Sequence, residues 1–259
     1  MIVETSTGPI GIERVGDGPD LILLHSLLTD RHVYDLVAPR LADRYRLTLV
    51  DLPGYGASAP AEPAMDSYGD RIGGLLEAGD YDPATTAILG NGLGGFAALA
   101  TAVRHGDRFN KLILVGCGSS LPPAGKQAFP IMIEKVANGG MEAVADMAVG
   151  RIFPAEFMAA NPAMVAERRA VLLRTDPKAF QTACQAIHDV DYDRDVSAIG
   201  NPTLLVIGSE DLATPPSLSR ALHGTIPNST YIELDGVAHG PQLQAPERFL
   251  DAIEPFLAA

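Results

Sequence analysis

Long apolar runs, basic stretches and cysteines are scarce in this sequence, and each scarcity excludes something. No run of about 20 apolar residues occurs, so nothing reads as a membrane-spanning helix. Met1 to Gly18 carries glutamates, glycines and a Gly-Pro turn where a secretory leader would have a charged start and an apolar block. A soluble, cytoplasmic protein with no membrane partner is expected. Lys and Arg number 19 against 32 Asp and Glu, giving a formal net charge of −13. That balance leaves no basic stripe for nucleic acid or an anionic surface. The two cysteines, Cys117 at the end of an apolar strand and Cys184 inside a helical segment, suit a reduced compartment. His32, His105, His188 and His223 lack ligand spacing, so no zinc site is indicated and no cofactor is implied. Asp189, Asp191, Asp193 and Asp195 mimic the start of a calcium loop. Arg194 stands where that loop requires glycine and Gly200 where it requires glutamate, so a solvated return of the chain is expected. Internal repeats and low-complexity runs are absent too.

What is present fits one large α/β domain: 259 residues, 47% of them hydrophobic, are ample for a closed core. Pro9–Val15 alternates and closes into a Gly-Asp-Gly-Pro turn, and Leu21–Leu24 is a continuous apolar run of the buried parallel type. A helix follows over His32–Ala42, a strand over Arg46–Val50 and a glycine-weakened helix over Met65–Ala78. Further strands are expected from Thr85, at Lys111–Val115, Pro202–Gly208 and Thr230–Leu234, with helices at Pro216–His223 and Pro246–Leu257. Strands alternating with helices imply a mostly parallel sheet covered on both faces. The alternation breaks over residues 119–195, where only helical stretches punctuated by Pro130, Pro154, Pro162 and Pro177 occur. That segment reads as a helical lid inserted into a core of residues 1–118 and 196–259. Its Met132, Met141, Met147, Met158 and Met164 either line an adaptable pocket or fill core gaps.

The sequence Thr85-Thr-Ala-Ile-Leu-Gly90-Asn91-Gly92-Leu93-Gly94-Gly95 is a strand running through a sharp turn into a small-residue helix. Its glycines fit GxGxxG, a phosphate cradle, and also GxSxG with glycine in place of serine, a nucleophile elbow without its nucleophile. A dinucleotide fingerprint expects an acidic residue about 20 positions on. The next strand ends instead in Val115-Gly116-Cys117-Gly118, and at least two strands precede the motif. The dinucleotide reading is therefore set aside.

His25-Ser26-Leu27, Asp51-Leu52-Pro53-Gly54-Tyr55-Gly56-Ala57-Ser58, the elbow at Gly90–Gly95, Gly208-Ser209-Glu210-Asp211 and Gly236-Val237-Ala238-His239 together resemble the α/β-hydrolase fold superfamily over essentially the whole chain. Within it the chain is similar to the lidded branch that includes 3-oxoadipate enol-lactonases and carbon–carbon bond hydrolases. The resemblance implies an eight-stranded, mostly parallel sheet and the order nucleophile, acid, histidine along the chain: position 92, Asp211, His239. It implies His239 as general base, Asp211 as its orienter, and the backbone N–H groups of Leu27 and Leu93 as an oxyanion hole.

The chain departs from that pattern at Gly92. An acyl-enzyme route cannot start from a residue without a side chain. Three explanations stay open: an inactivating replacement of serine; a native glycine that leaves His239 and Asp211 to activate water or move protons on a carbonyl substrate; or a protein that binds a small ligand without turnover. Ser26, expected to touch substrate, and Ser119 and Ser120 read as turn or pocket-lining serines, since none sits on an elbow. Asn91 reads as a turn former and His25 as a packed loop histidine. A hydrolase of a small ester, lactone or carbon–carbon bond next to a carbonyl is expected, acting on a small molecule as a monomer or homodimer.

Overall fold

The computed structural model describes all 259 residues. Eight strands form one sheet: β1 (Ile2–Val3), β2 (Ile10–Val15), β3 (Asp20–Leu24), β4 (Arg46–Val50), β5 (Ala87–Asn91), β6 (Lys111–Val115), β7 (Thr203–Gly208) and β8 (Ser229–Leu234). Their spatial order is β1-β2-β4-β3-β5-β6-β7-β8. The β1–β2 and β2–β4 pairs are antiparallel and every other pair is parallel. Every residue of β3, β5 and β7 is buried, as expected of strands covered on both faces. The expected eight-stranded, mostly parallel sheet is thus present. Its first strand, only two residues long, gives no periodic signal in the sequence.

Helices α1 (Ala38–Ala42), α2 (Met65–Ala78) and α3 (Leu93–His105) connect the first strands. The helix expected over His32–Ala42 is broken into a 3-10 turn at Arg31–Tyr34 and the short α1. Pro39 accounts for this, because it has no amide to donate back to the carbonyl of the preceding turn and fits only the first turn of a new helix. Helix α3 lies close against the sheet: a Cβ on Gly94 would stand 2.2 Å from the Leu24 carbonyl oxygen, so only glycine permits this approach.

Between β6 and β7 run six helices, α4 (Pro123–Lys126), α5 (Ala128–Gly139), α6 (Glu142–Ile152), α7 (Ala155–Ala160), α8 (Pro162–Leu173) and α9 (Pro177–Asp189). Pro162 and Pro177 start helices and Pro154 caps one, positions where the missing amide costs nothing. Pro130 instead sits in the first turn of α5. The two ends of this segment meet in a bridge between Ser120 and Asp191, and the hydroxyls of Ser119 and Ser120 donate to the Asp193 carboxylate at 2.6 and 3.0 Å. The alternating aspartates thus clasp the segment's base. Helices α10 (Pro216–Thr225), α11 (Pro241–Gln244) and α12 (Pro246–Ala258) complete the chain. No helix is long and apolar enough to cross a membrane.

The parallel register decides where the chemistry lies. Leu24 pairs with Gly90, Gly90 with Leu114, and Leu114 with Leu205. The loops leaving β3, β5, β6 and β7 therefore emerge side by side at the carboxyl edge, where open α/β sheets place their ligands.

Candidate active site

Gly92 caps α3 with φ 55° and ψ −116°, a backbone that side chains other than hydrogen adopt only under strain. An added Cβ would stand 2.4 Å from Ser26 Oγ and 2.7 Å from His239 Nε2. The space beside this glycine is thus filled by two side chains from other loops.

His239, in the loop between β8 and α11, is buried. Its Nδ1 lies 2.8 Å from Asp211 Oδ2, in the loop after β7. The Asp211 carboxylate, also buried, accepts the backbone N–H groups of Ala213 and Thr214 on Oδ1 (2.8 Å each) and the Thr214 hydroxyl on Oδ2 at 2.9 Å. These donors satisfy the buried charge and hold it in place. An ionised carboxylate only accepts, so the Nδ1 edge carries the proton and Nε2 is left as an acceptor. Nε2 faces Ser26 Oγ at 3.3 Å.

The loop carrying Ser26 is fixed from several sides. Its N–H donates to Thr29 Oγ1 at 3.1 Å, and its carbonyl accepts from the Thr29 N–H, the Thr29 hydroxyl and His25 Nδ1 at 3.2, 3.2 and 2.9 Å. His25 Nε2 in turn accepts the Leu52 N–H at 3.1 Å, and burial holds the imidazole below its usual pKa, hence neutral. The packed loop histidine expected from the sequence is thus a strut under Ser26. Asn91 has a larger part than the turn former expected. Buried at the end of β5, its amide donates to the His239 carbonyl at 3.0 Å and its oxygen accepts from Gln242 Nε2 at 3.0 Å, bracing the histidine loop.

Ser26, Leu27, Gly92, Leu93, Thr214 and His239 share one cavity of about 40 Å³. The N–H groups of Leu27 and Leu93 have no acceptor in the protein, Leu93 because it opens a helix. The helical segment closes the cavity with Leu121, Phe129, Met132, Ile187 and Arg151. Of the five methionines of the segment only Met132 lines it; Met141 is buried elsewhere and Met147 is exposed. Arg151 was not legible as a site residue, although a lone cation in Ala-Val-Gly-Arg-Ile-Phe is a signal of a kind. It is half-buried and has neither hydrogen bond nor ion pair in the protein. Ser119 and Ser120 lie in the Asp193 clasp instead.

A larger cleft of about 880 Å³ lies beside Arg71 and Asp176. Arg71 is consumed there by the carbonyls of Thr7, Pro9, Ala59 and Pro60, so it ties loops together and presents nothing to a ligand.

Comparison with known proteins agrees with this architecture. The family model for the alpha/beta hydrolase fold matches residues 19–246. A pimeloyl-(acyl-carrier protein) methyl ester esterase of Chromobacterium violaceum is 30% identical over 255 residues, 95% of this chain and 97% of that protein. The enol-lactonase of Burkholderia xenovorans LB400 superposes with a TM-score of 0.92 at 25% identity, covering 100% of both chains. A thermophilic esterase from Thermogutta terrifontis gives 0.88 at 25% identity, over 100% of this chain and 97% of that one.

Proposed function

Since the chain belongs to the α/β-hydrolase family, we propose that it hydrolyses a small ester or lactone whose acyl part carries a carboxylate. His239 is the general base, Asp211 orients it, and the Leu27 and Leu93 amides hold the oxyanion. The observation that carries this reading is the 2.8 Å contact of His239 Nδ1 with a fully bonded, buried Asp211, which leaves Nε2 as an acceptor facing Ser26 Oγ in the cavity of the two acceptor-less amides. Relatives that are an ester hydrolase and an enol-lactonase support the substrate class. The unpaired Arg151 supports the carboxylate, because a half-buried guanidinium in an apolar wall gains most from an anion.

Residues 119–195 act as a lid in this reading. A cavity of about 40 Å³ holds a water and no substrate, so entry requires the wall of α5, α6 and α9 to move while the Ser119–Asp193 clasp holds its base. The protein works on a soluble small molecule in the cytoplasm and needs no cofactor. Cleavage of a carbon–carbon bond next to a carbonyl uses the same base and amides and belongs in the same assay.

The test is steady-state turnover of paired p-nitrophenyl esters, short monoacids against dicarboxylic half-esters, with lactones and 2-hydroxy-6-keto-dienoates beside them. A charge-assisted contact of about 1.5–3 kcal/mol predicts kcat/KM about 10- to 150-fold higher for the half-esters, a preference removed by Arg151→Met. Ligand binding without product across the panel contradicts the enzyme reading.

A further inference from the structure

We propose that Ser26 is the nucleophile, its hydroxyl delivered from the loop after β3 to the place that Gly92 leaves empty. This rests on the hydrolase reading above and adds the attacking atom to it. Ser26 Oγ lies 3.3 Å from His239 Nε2 and has no other hydrogen-bond partner. It stands 2.4 Å from where a Cβ of residue 92 would be, so an oxygen occupies the neighbourhood of an elbow hydroxyl while hanging from the opposite wall. In the sequence Ser26 reads as a pocket-lining serine expected to touch substrate, because it is not on an elbow. An elbow presents a side chain rigidly, and Ser26 is held in place by four hydrogen bonds between its peptide groups and Thr29 and His25. The remaining hydroxyls near the site are committed elsewhere, Thr214 to Asp211, and Ser119 and Ser120 to Asp193.

The oxyanion amides suit attack from this side. In the elbow arrangement one amide belongs to the residue after the nucleophile, here Leu93, and the other to Leu27. With Ser26 attacking, Leu27 becomes the residue after the nucleophile and Leu93 the amide across the cavity, so the same two donors exchange parts. Ser26 Oγ bonds to the acyl carbon while its proton passes to His239 Nε2, and the carbonyl π-electrons move to the oxygen facing the two amides. As the carbonyl re-forms, the bond to the leaving alkoxide breaks and the imidazolium gives it the proton. Water, deprotonated by His239, then attacks the acyl-Ser26 ester. The acid departs and the proton returns to Ser26.

An alkyl fluorophosphonate tests this on the unmodified chain. Oγ–P forms as P–F breaks, and fluoride departs with the proton routed through His239. Intact-mass and peptide-mass spectra are expected to show one adduct, on the peptide containing Ser26, lost in Ser26→Ala and in His239→Ala. Turnover should fall at least 1000-fold in Ser26→Ala, while the melting temperature falls by only about 2–4 °C for the lost hydrogen bond to His239. An unlabelled Ser26 in a protein that turns over, with Ser26→Ala equally active, overturns the proposal and leaves a hydrolase in which His239 activates water. Neither label nor turnover in the unmodified chain overturns both readings, and turnover confined to Gly92→Ser then marks the glycine as the inactivating residue.

Discussion

Replacing Gly92 by serine tests the packing at the tip of β5 quantitatively. At φ 55° and ψ −116° a side chain costs about 1–3 kcal/mol in backbone strain. The new Cβ meets Ser26 Oγ at 2.4 Å and His239 Nε2 at 2.7 Å, so the Ser26 hydroxyl must rotate away and the imidazole must retreat. That loses the Ser26–His239 hydrogen bond, about 1 kcal/mol more. Gly92→Ser is thus expected to destabilise the protein by about 2–4 kcal/mol. In a Ser26→Ala background the colliding oxygen and its bond are already gone while the contact with His239 remains, and the same change should cost about 1 kcal/mol less. The assay is urea unfolding of the four proteins of this cycle at one pH and one temperature. A coupling of about 1 kcal/mol is expected; additivity within about 0.3 kcal/mol would refute the claim that Ser26 and residue 92 compete for one place. Activity should follow the hydroxyl: Gly92→Ser with Ser26→Ala presents it from the elbow and should outperform Ser26→Ala by orders of magnitude.

Two further outcomes follow from the struts around the site. His25 is held below the ordinary imidazole pKa by burial, so the folded protein binds fewer protons than the unfolded chain. Its contribution is fully present above the unfolded value of about 6.5 and is lost as pH falls from there through the folded pKa, by up to about 1.4 kcal/mol per pH unit. Urea midpoints should therefore drop with that slope on acidification, and His25→Asn should flatten it; a parallel dependence in both proteins contradicts the neutral strut. Asn91→Leu leaves the His239 carbonyl and Gln242 Nε2 without a partner in a buried place, and should cost about 1–3 kcal/mol in urea unfolding while reducing kcat more than KM.

Much of this molecule is legible in its sequence because the signals are local. Arg46–Val50, Lys111–Val115 and Met65–Ala78 have the bounds that apolar runs and periodicity predict, since a parallel strand or an amphipathic helix is encoded in consecutive residues. The break at Pro39 was legible in principle and outweighed by the spacing of Val33, Leu36, Val37 and Leu41. The Asp211 and His239 landmarks come from resemblance, and the structure brings them into contact. What sequence alone could not reveal depends on contacts across the fold. Ser26 and His239 are 213 residues apart and meet because the loop after β8 is held over the end of β5, the neighbour of β3 in the sheet. Asn91 looks like a turn residue until the histidine loop is laid over it. Arg151 becomes a site residue only when α6 folds back over the strand ends.

The proposed function makes this glycine-tipped chain itself a hydrolase driven by His239. The most direct measurement compares the unmodified chain with His239→Ala on one dicarboxylic half-ester of p-nitrophenol, following p-nitrophenolate release under single-turnover and steady-state conditions. Measurable turnover is expected in the unmodified chain, with a loss of about 10²–10⁴-fold without the histidine, the worth of a general base. Equal rates in the two proteins, or no release above buffer in either, would contradict it.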